Sequence, residues 1–519
     1  MHILHNASRR VFLRQASAYG ALVGSAAAPM ALNLSAMGAA AAATSGDYKA
    51  IVCLFLYGGN DSYNMVLPTD AASWGAYTTT RNQAPDPISL LAPGTAPNPA
   101  AAAGSPARLG GVLPIVPANA QGRSFALHPV MASLQSLFNT DKRLAVLPNV
   151  GPLLTPTTKA QYGLSTWPKP PRLFSHNDQQ NTWQALGPEG NTLGWGGRMG
   201  DMLMGMNTRP VFTAISATGN AVWVAGSSVQ QYQVSTTGAI PLGVNTAGAV
   251  YGSADVGAAL QRLATTVRSS HPFDADVAAV ARRSIDAEAV LRTAMRPPSD
   301  PLFGTAPASG SYNANNDPKL QYLNPLSGNM AANALAQQFQ VVARMIDAGL
   351  SGATGAQRQV FFVSLGGFDT HDGQNRTHAD LYARVAQALS YFDTTLGGLN
   401  ARSQVTTFTA SDFGRTFTSN GDGTDHGWGS HHFVLGGAVK GGDLYGTFPV
   451  LGLKNAGDNN FNSSPDQLTN GALLPATSVD QLGATLGRWF GLTDTQIADI
   501  FPNLANFDAA KRNLGFMTA

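Results

Sequence analysis

The sequence predicts an α/β fold: an open, mostly parallel sheet with helices on both faces. Residues 50–57 form a continuous apolar run, which is typical of a central parallel strand covered on both sides, and residues 359–365 and 405–409 are predicted as further strands. Between the last two strands, apolar residues recur at helical spacing over 381–396. This strand–helix–strand order favours parallel crossovers. The chain has 519 residues, 44% hydrophobic and 12% charged, so it can bury a large core.

Residues 1–43 have the pattern of a twin-arginine export signal. Arg9 and Arg10 begin it, and after Arg14 an Ala/Gly/Leu stretch contains no charged residue until Asp47. A membrane span needs about 20 apolar residues, and Pro29 interrupts this weakly hydrophobic stretch. We therefore expect a periplasmic or secreted protein whose mature chain has no transmembrane domain. An uncut signal anchor is the alternative.

The composition of the mature chain excludes nucleic-acid binding and an intrachain disulfide. After residue 43 the sequence has 29 basic and 30 acidic residues, so it offers no basic surface for nucleic acid. Its one cysteine, Cys53, lies in an apolar run, which excludes an intrachain disulfide and indicates a small buried side chain.

We expect residues 44–519 to form one domain with two insertions. Residues of about 83–122 are rich in Pro, Ala and Gly without periodicity, which predicts an irregular excursion. Residues of about 209–254 are rich in Val, Thr, Ser and Gln in short alternating runs, which predicts a β-rich cap over the sheet.

Aspartates follow three of the predicted strands, at Asp61, Asp369 and Asp412. The carboxyl ends of parallel strands meet at one edge of a sheet, where ligands bind. His371 and His426 lie beside aspartates and add imidazole nitrogen to carboxylate oxygen. This pairing predicts one or two divalent metal ions, with zinc or manganese favoured and calcium as a further candidate. For each aspartate, a helix cap or a turn is the structural alternative.

Two more histidines compete for the last ligand position. His431 and His432 are adjacent, so on a strand their side chains point to opposite faces and one of them can reach a site. We prefer His426, which glycines follow in a loop, and keep His431 as a second candidate. Asp372 and His378 are expected outside the set of ligands.

Two further motifs carry candidate catalytic groups. Ser175 and His176 place a hydroxyl beside an imidazole, as a nucleophile at a helix N-terminus would require, although Ser175 is equally suited to cap that helix. Arg415 can hold a phosphate or sulfate bidentately, or pair with Asp422 or Asp425.

Together these motifs resemble an exported bacterial family, domain of unknown function 1501, related to the alkaline-phosphatase-like superfamily. The resemblance rests on the signal, the Ser175-His176 segment and the motifs Gly-Gly-Asn-Asp61, Gly-Gly-Phe-Asp369-Thr-His371, Ser-Asp412-Phe-Gly-Arg415, Asp425-His426-Gly and Leu435-Gly-Gly. It implies that Asp369 and His371 bind one metal with His426 or His431. It also implies that Asp61 and Asp412 bind a second metal and that Ser175 takes up the transferred group.

The resemblance and the motifs predict a metal-dependent hydrolase of phosphate or sulfate esters. Its substrate would be an anionic ester, either a small molecule or part of a polymer. The alternative is a catalytically silent scaffold that keeps the fold and binds an envelope protein. A third idea is glycan recognition through the Trp, Tyr and Gln residues of 220–235.

Overall fold

The computed structural model describes residues 47–241, 244 and 248–518, so the predicted export signal lies outside the described residues. The strands are β1 Lys49–Leu56, β2 Val66–Pro68, β3 Leu113–Ile115, β4 Phe125–Leu127, β5 Leu144–Gly151, β6 Ala214–Ser216, β7 Tyr232–Ser235, β8 Gly238–Ala239, β9 Gln321–Leu323, β10 Met330–Ala332, β11 Arg358–Leu365, β12 Val405–Ser411, β13 Ser430–Gly436 and β14 Thr477–Ser478. The helices are α1 Ala71–Arg81, α2 Pro106–Leu109, α3 Ala132–Asn139, α4 Lys159–Tyr162, α5 His176–Ala185, α6 Trp195–Leu203, α7 Ala254–Thr265, α8 Pro272–Ala294, α9 Ala334–Leu350, α10 Gln374–Gly398, α11 Val479–Phe490 and α12 Asp494–Ile500.

Within the described residues, nine strands form a central sheet in the order β14-β5-β13-β12-β1-β11-β6-β7-β8. Strand β1 is parallel to both of its neighbours, β11 and β12, and β6 and β7 continue the parallel arrangement. Strand β13 runs antiparallel between β12 and β5. The sheet is therefore mostly parallel, as predicted.

Strand β1 shows why its sequence is apolar without alternation. Val52 and Leu54 face one core, which contains α3, α9 and α10. Cys53 and Phe55 face a second core, which contains α6 and α11. Because helices cover both faces, every position of the strand after Lys49 is buried. Helices on both faces confirm the predicted α/β class.

The two predicted insertions have different structures. Residues 83–122 are largely irregular, and contribute the short helix α2 and strand β3. Residues 209–254 contain β6, β7 and β8, but these strands extend the edge of the central sheet instead of covering a face. The reason is that Ala214–Ser216 pairs in parallel with β11 and so continues the main ladder.

In the part of the chain that the structure describes, no helix is both long and apolar enough to cross a bilayer.

Candidate metal centre

The loops after β1, β11 and β12 meet at the carboxyl edge of the sheet. The Gly58 backbone N–H donates to Asp412 Oδ2 at 3.2 Å. Gly58 has φ of +114°, and a Cβ atom there would lie 2.2 Å from the backbone nitrogen of Asp369. Glycine is therefore required for the first loop to pack against the second.

Four side chains, which we call the histidine cluster, converge at this edge: His176, Asp369, His371 and His426. Their ligand atoms are close together: those of His176, Asp369 and His426 all lie within 4.8 Å of one another. The Nε2 atoms of His176, His371 and His426 lie 3.4, 3.2 and 3.7 Å from Asp369 Oδ1. His371 Nε2 is also 3.0 Å from His426 Nε2. The imidazoles of His176 and His426 and the Asp369 carboxylate thus share one space, and His371 lies beside it, near Asp369 and His426.

The other ring nitrogen of each histidine lies near an oxygen atom. His176 Nδ1 is 2.7 Å from Asp412 Oδ2, and His426 Nδ1 is 2.7 Å from the Phe174 carbonyl oxygen. His371 Nδ1 lies 3.4 Å from Asp425 Oδ1. When Nδ1–H donates to such an oxygen, the lone pair of the neutral ring is on Nε2. The buried Nε2 of His176 makes no hydrogen bond within the described chain, so its lone pair is available to a ligand.

The charges around the cluster shift the pKa values of its members. The hydrogen bond that His176 donates to Asp412 raises the pKa of His176, although burial opposes this. Burial lowers the pKa of His426. Burial alone would raise the pKa of Asp369, but the hydrogen bond and positive charge of Arg415 outweigh it and lower that pKa. Asp369 is thus held as a carboxylate, the form that binds a cation.

Asp412 is completely buried behind His176 and orients its ring. Besides the His176 bond, Asp412 Oδ2 accepts from Gln180 Nε2 at 2.7 Å. Gln180 belongs to no motif of the sequence, but it follows His176 by four residues and so shares its face of α5. A carboxylate behind a histidine is the usual outer partner of a metal-binding imidazole.

Asp61, predicted as a ligand of a second metal, is engaged elsewhere. Its carboxylate is fully buried and accepts from Arg81 at 2.6 and 3.0 Å. Gln374 Nε2 donates to it at 2.7 Å, and the Tyr63 backbone N–H at 3.2 Å. These bonds place Asp61 in a buried ion pair below the site.

Arg415 is buried and donates to the protein itself. Its Nε donates to the Gly59 carbonyl at 3.0 Å, and its Nη1 donates to the Thr424 carbonyl at 3.0 Å. Its Nη2 donates to the Gly58 carbonyl at 2.6 Å and to Asp369 Oδ1. Arg415 therefore ties three loops together and positions Asp369, instead of pairing with an aspartate of 422–425.

Ser175 lies next to the histidine cluster in the chain, whereas His431 lies outside the cluster. Ser175 precedes α5, and its Oγ donates to Asp178 Oδ2 at 2.8 Å, next to His176 in the chain. His431 is buried in β13, where its Nδ1 accepts from the Asn149 backbone N–H at 3.0 Å. Its ring packs on Phe448, so the structure brings His426, and not His431, into the cluster.

Comparison with known proteins adds a family match. Residues 319–501 match the model of a family described as a protein of unknown function, DUF1501. The matched segment includes three members of the histidine cluster, Asp369, His371 and His426, and lies C-terminal to His176. No curated protein matches the chain. The match supports the resemblance seen in the motifs, and the family description names no function.

Proposed function

We propose that the protein is a metal-dependent hydrolase of phosphate or sulfate esters, with a divalent ion held by the histidine cluster. The observation that carries the proposal is the convergence of three Nε2 atoms on Asp369 Oδ1, with an oxygen beside every Nδ1. Structural imidazoles do not need this arrangement, whereas metal ligands do.

The spacing of the cluster fits a small divalent ion. Ligand atoms at the corners of a tetrahedron around zinc, about 2.1 Å from the ion, lie about 3.4 Å apart. The Nε2 atoms of His176 and His426 lie 3.4 and 3.7 Å from Asp369 Oδ1, and the ligand atoms of these three residues all lie within 4.8 Å of one another. His371, 3.2 Å from Asp369 Oδ1, lies beside this set of three. Imidazole nitrogen with one carboxylate favours zinc or manganese over calcium, which prefers oxygen ligands.

The protein groups have distinct proposed roles. A bound divalent ion would supply Lewis-acid chemistry, polarising the ester and lowering the pKa of an attacking group. Asp412 holds the Nδ1 proton of His176, and Arg415 keeps Asp369 ionised and in place. Ser175, whose hydroxyl proton points at Asp178, is the candidate to take up the transferred group. The substrate is an anionic ester, either a small molecule or part of a polymer.

The first test is the metal content of untagged protein, measured by mass spectrometry with and without the Asp369→Asn substitution. We expect one or two equivalents of zinc or manganese in the wild type and loss of metal in the variant. Asp372→Asn is the matched control, since this exposed carboxylate lies three residues away. If neither protein binds added zinc while both are folded, the proposal is refuted.

A second test addresses the reaction. Hydrolysis of aryl phosphate monoesters, diesters and sulfates should depend on the metal and be lost in His426→Gln. Ser175→Ala separates two mechanisms: loss of turnover with metal retained supports a serine nucleophile, and unchanged turnover assigns the attack to water. An absence of hydrolysis across the panel by the metal-loaded protein would contradict the proposed reaction.

One observation favours a catalytically silent scaffold as the second candidate. The Arg415 guanidinium already donates to Asp369 Oδ1, and its positive charge lies beside the space where an ion would sit. In a scaffold, this ion pair would substitute for the metal. The scaffold is then expected to lack metal, to keep its fold, and to co-purify with an envelope protein.

We also propose that the protein acts in the periplasm or outside the cell. The support is the twin-arginine pattern within residues 1–43. The double substitution Arg9→Lys and Arg10→Lys should retain the full-length chain in the cytoplasm, which fractionation and immunoblotting would show. Unchanged export would contradict this route.

A further inference from the structure

A cavity of about 980 Å³ runs along the outer face of α10, beginning more than two helical turns beyond its first residue, Gln374. Its floor is the stripe Ala383, Ala386, Ser390, Thr394 and Gly398, together with neighbouring polar residues. From Ala383 to Gly398 the stripe is about 22 Å long at 1.5 Å per helical residue. The volume is at the upper end of the range for small-molecule sites.

The walls of this groove are apolar. Leu109 and Val130 lie among the residues that precede α3, and Leu302 and Leu323 come from the segment before α9. Leu323 is 62% exposed, so the groove leaves a large hydrophobic side chain facing solvent. An apolar ligand covering these side chains would remove that surface from water.

Several polar side chains of the groove are bonded within the protein, whereas the hydroxyls of Ser390 and Thr394 have no hydrogen bond within the described residues. Ser133 Oγ donates to the Ala386 carbonyl at 3.1 Å, and Tyr391 Oη to the Phe303 carbonyl at 2.6 Å. Thr395 Oγ1 donates to the Tyr391 carbonyl at 2.9 Å. A sugar needs many hydrogen bonds to its hydroxyls, so these engaged groups disfavour a glycan and favour an alkyl chain.

The charges of the groove are positive. Arg108 and Lys319 line it, and the residues that line it include no carboxylate. The Lys319 ammonium donates to the Pro301 carbonyl. In the described ranges of the chain, the Arg108 side chain has neither an ion pair nor a hydrogen bond, so its guanidinium is free to bind an anion.

We propose that this groove binds a long-chain fatty acid, with the alkyl chain along α10 and the carboxylate at Arg108. The length and apolar walls fit the chain, the few unbonded hydroxyls of the floor disfavour a glycan, and the unpaired cation fits the headgroup. This inference is independent of the metal centre and of the proposed hydrolase activity.

The test is isothermal titration of the full-length protein with hexadecanoate below its micellar concentration, with 1-hexadecanol as the uncharged probe. We expect one site per chain and at least tenfold weaker binding of the alcohol. Arg108→Gln should weaken hexadecanoate binding at least tenfold and leave alcohol binding within twofold. Arg282→Gln, an exposed arginine on α8, is the control that should change neither.

A second variant tests the position of the chain. Thr394 is exposed on the groove floor, so a Trp side chain at this position should fill the groove. We expect Thr394→Trp to abolish binding of both probes and to leave the thermal unfolding midpoint of the protein unchanged. Equal affinity for acid and alcohol, stronger binding of hexadecylphosphocholine, or no response to Thr394→Trp would each overturn the proposal.

Discussion

The buried ion pair between Asp61 and Arg81 gives the sharpest test of how the loops below the metal centre are held. Both side chains are 0% exposed. Asp61 accepts four hydrogen bonds: two from Arg81, one from Gln374 and one from the Tyr63 backbone. The substitution Asp61→Asn removes the negative charge but keeps the shape, and so leaves the guanidinium buried without a counter-charge.

The cost follows from that environment. Arg81 keeps its hydrogen bonds to the carbonyls of Phe417 and Thr416 and to Asn64 Oδ1, but its positive charge no longer has a counter-charge. Removing one partner of a buried pair costs about 3–5 kcal/mol. We expect the free energy of unfolding of Asp61→Asn, measured in urea, to fall by about that amount.

The matched control is Asp494→Asn, which removes the partner of Arg488 in a surface pair. Asp494 is 85% exposed, and loss of such a pair costs about 0–1 kcal/mol. Zinc content per folded chain should be the same in wild type and Asp61→Asn, because the cluster does not use Asp61. A loss below 1 kcal/mol, or a folded variant without metal, would refute this account.

Three further predictions concern pH and packing. Burial lowers the pKa of His432 to about 3, so the stability that its neutral form contributes is complete above pH 6.5 and declines as the pH falls. The free energy of unfolding in urea should therefore contain a loss of about 2 kcal/mol at pH 5 that is absent in His432→Gln. Burial raises the pKa of Asp480 to about 6, so the stability that its protonated form contributes is complete below pH 3.8 and is lost as the pH rises through 6. In the same assay, Asp480→Asn should therefore gain about 2 kcal/mol relative to wild type between pH 4 and pH 7. Gly58→Ala would press on the Asp369 backbone at 2.2 Å, so zinc affinity measured by chelator competition should fall at least tenfold, whereas Gly366→Ala, with open space around it, should not change it.

Much of the fold was predictable because it depends on local pattern. The continuous apolar run of β1 reflects burial on two faces, and the strand–helix–strand order of β11, α10 and β12 indicates a parallel sheet. The same rule brings Asp369 to the carboxyl edge near His426. These inferences need only the spacing of apolar residues along the sequence and the geometry of parallel crossover connections.

The rest depends on contacts that the local sequence does not encode. Asp61 follows a strand just as Asp369 does, but α1 brings Arg81 against the first and not the second. His431 and His426 are both near glycines, and only the packing of β13 on β5 determines that His431 is buried beside Asn149. A motif identifies the residue types capable of chemistry, while tertiary packing decides which are already paired.

The position of β1 in the middle of the sheet affects how the chain folds. Its parallel partner β11 lies far along the sequence, with Lys49 paired to Arg358, a separation of 309 residues. At a synthesis rate of about 5–20 residues per second, β1 would wait roughly 15–60 s on the ribosome before that partner emerges. During this time a strand that is apolar on both faces has unpaired backbone groups on both edges, which is an aggregation hazard. We expect the nascent chain to depend on a chaperone until synthesis has passed β12.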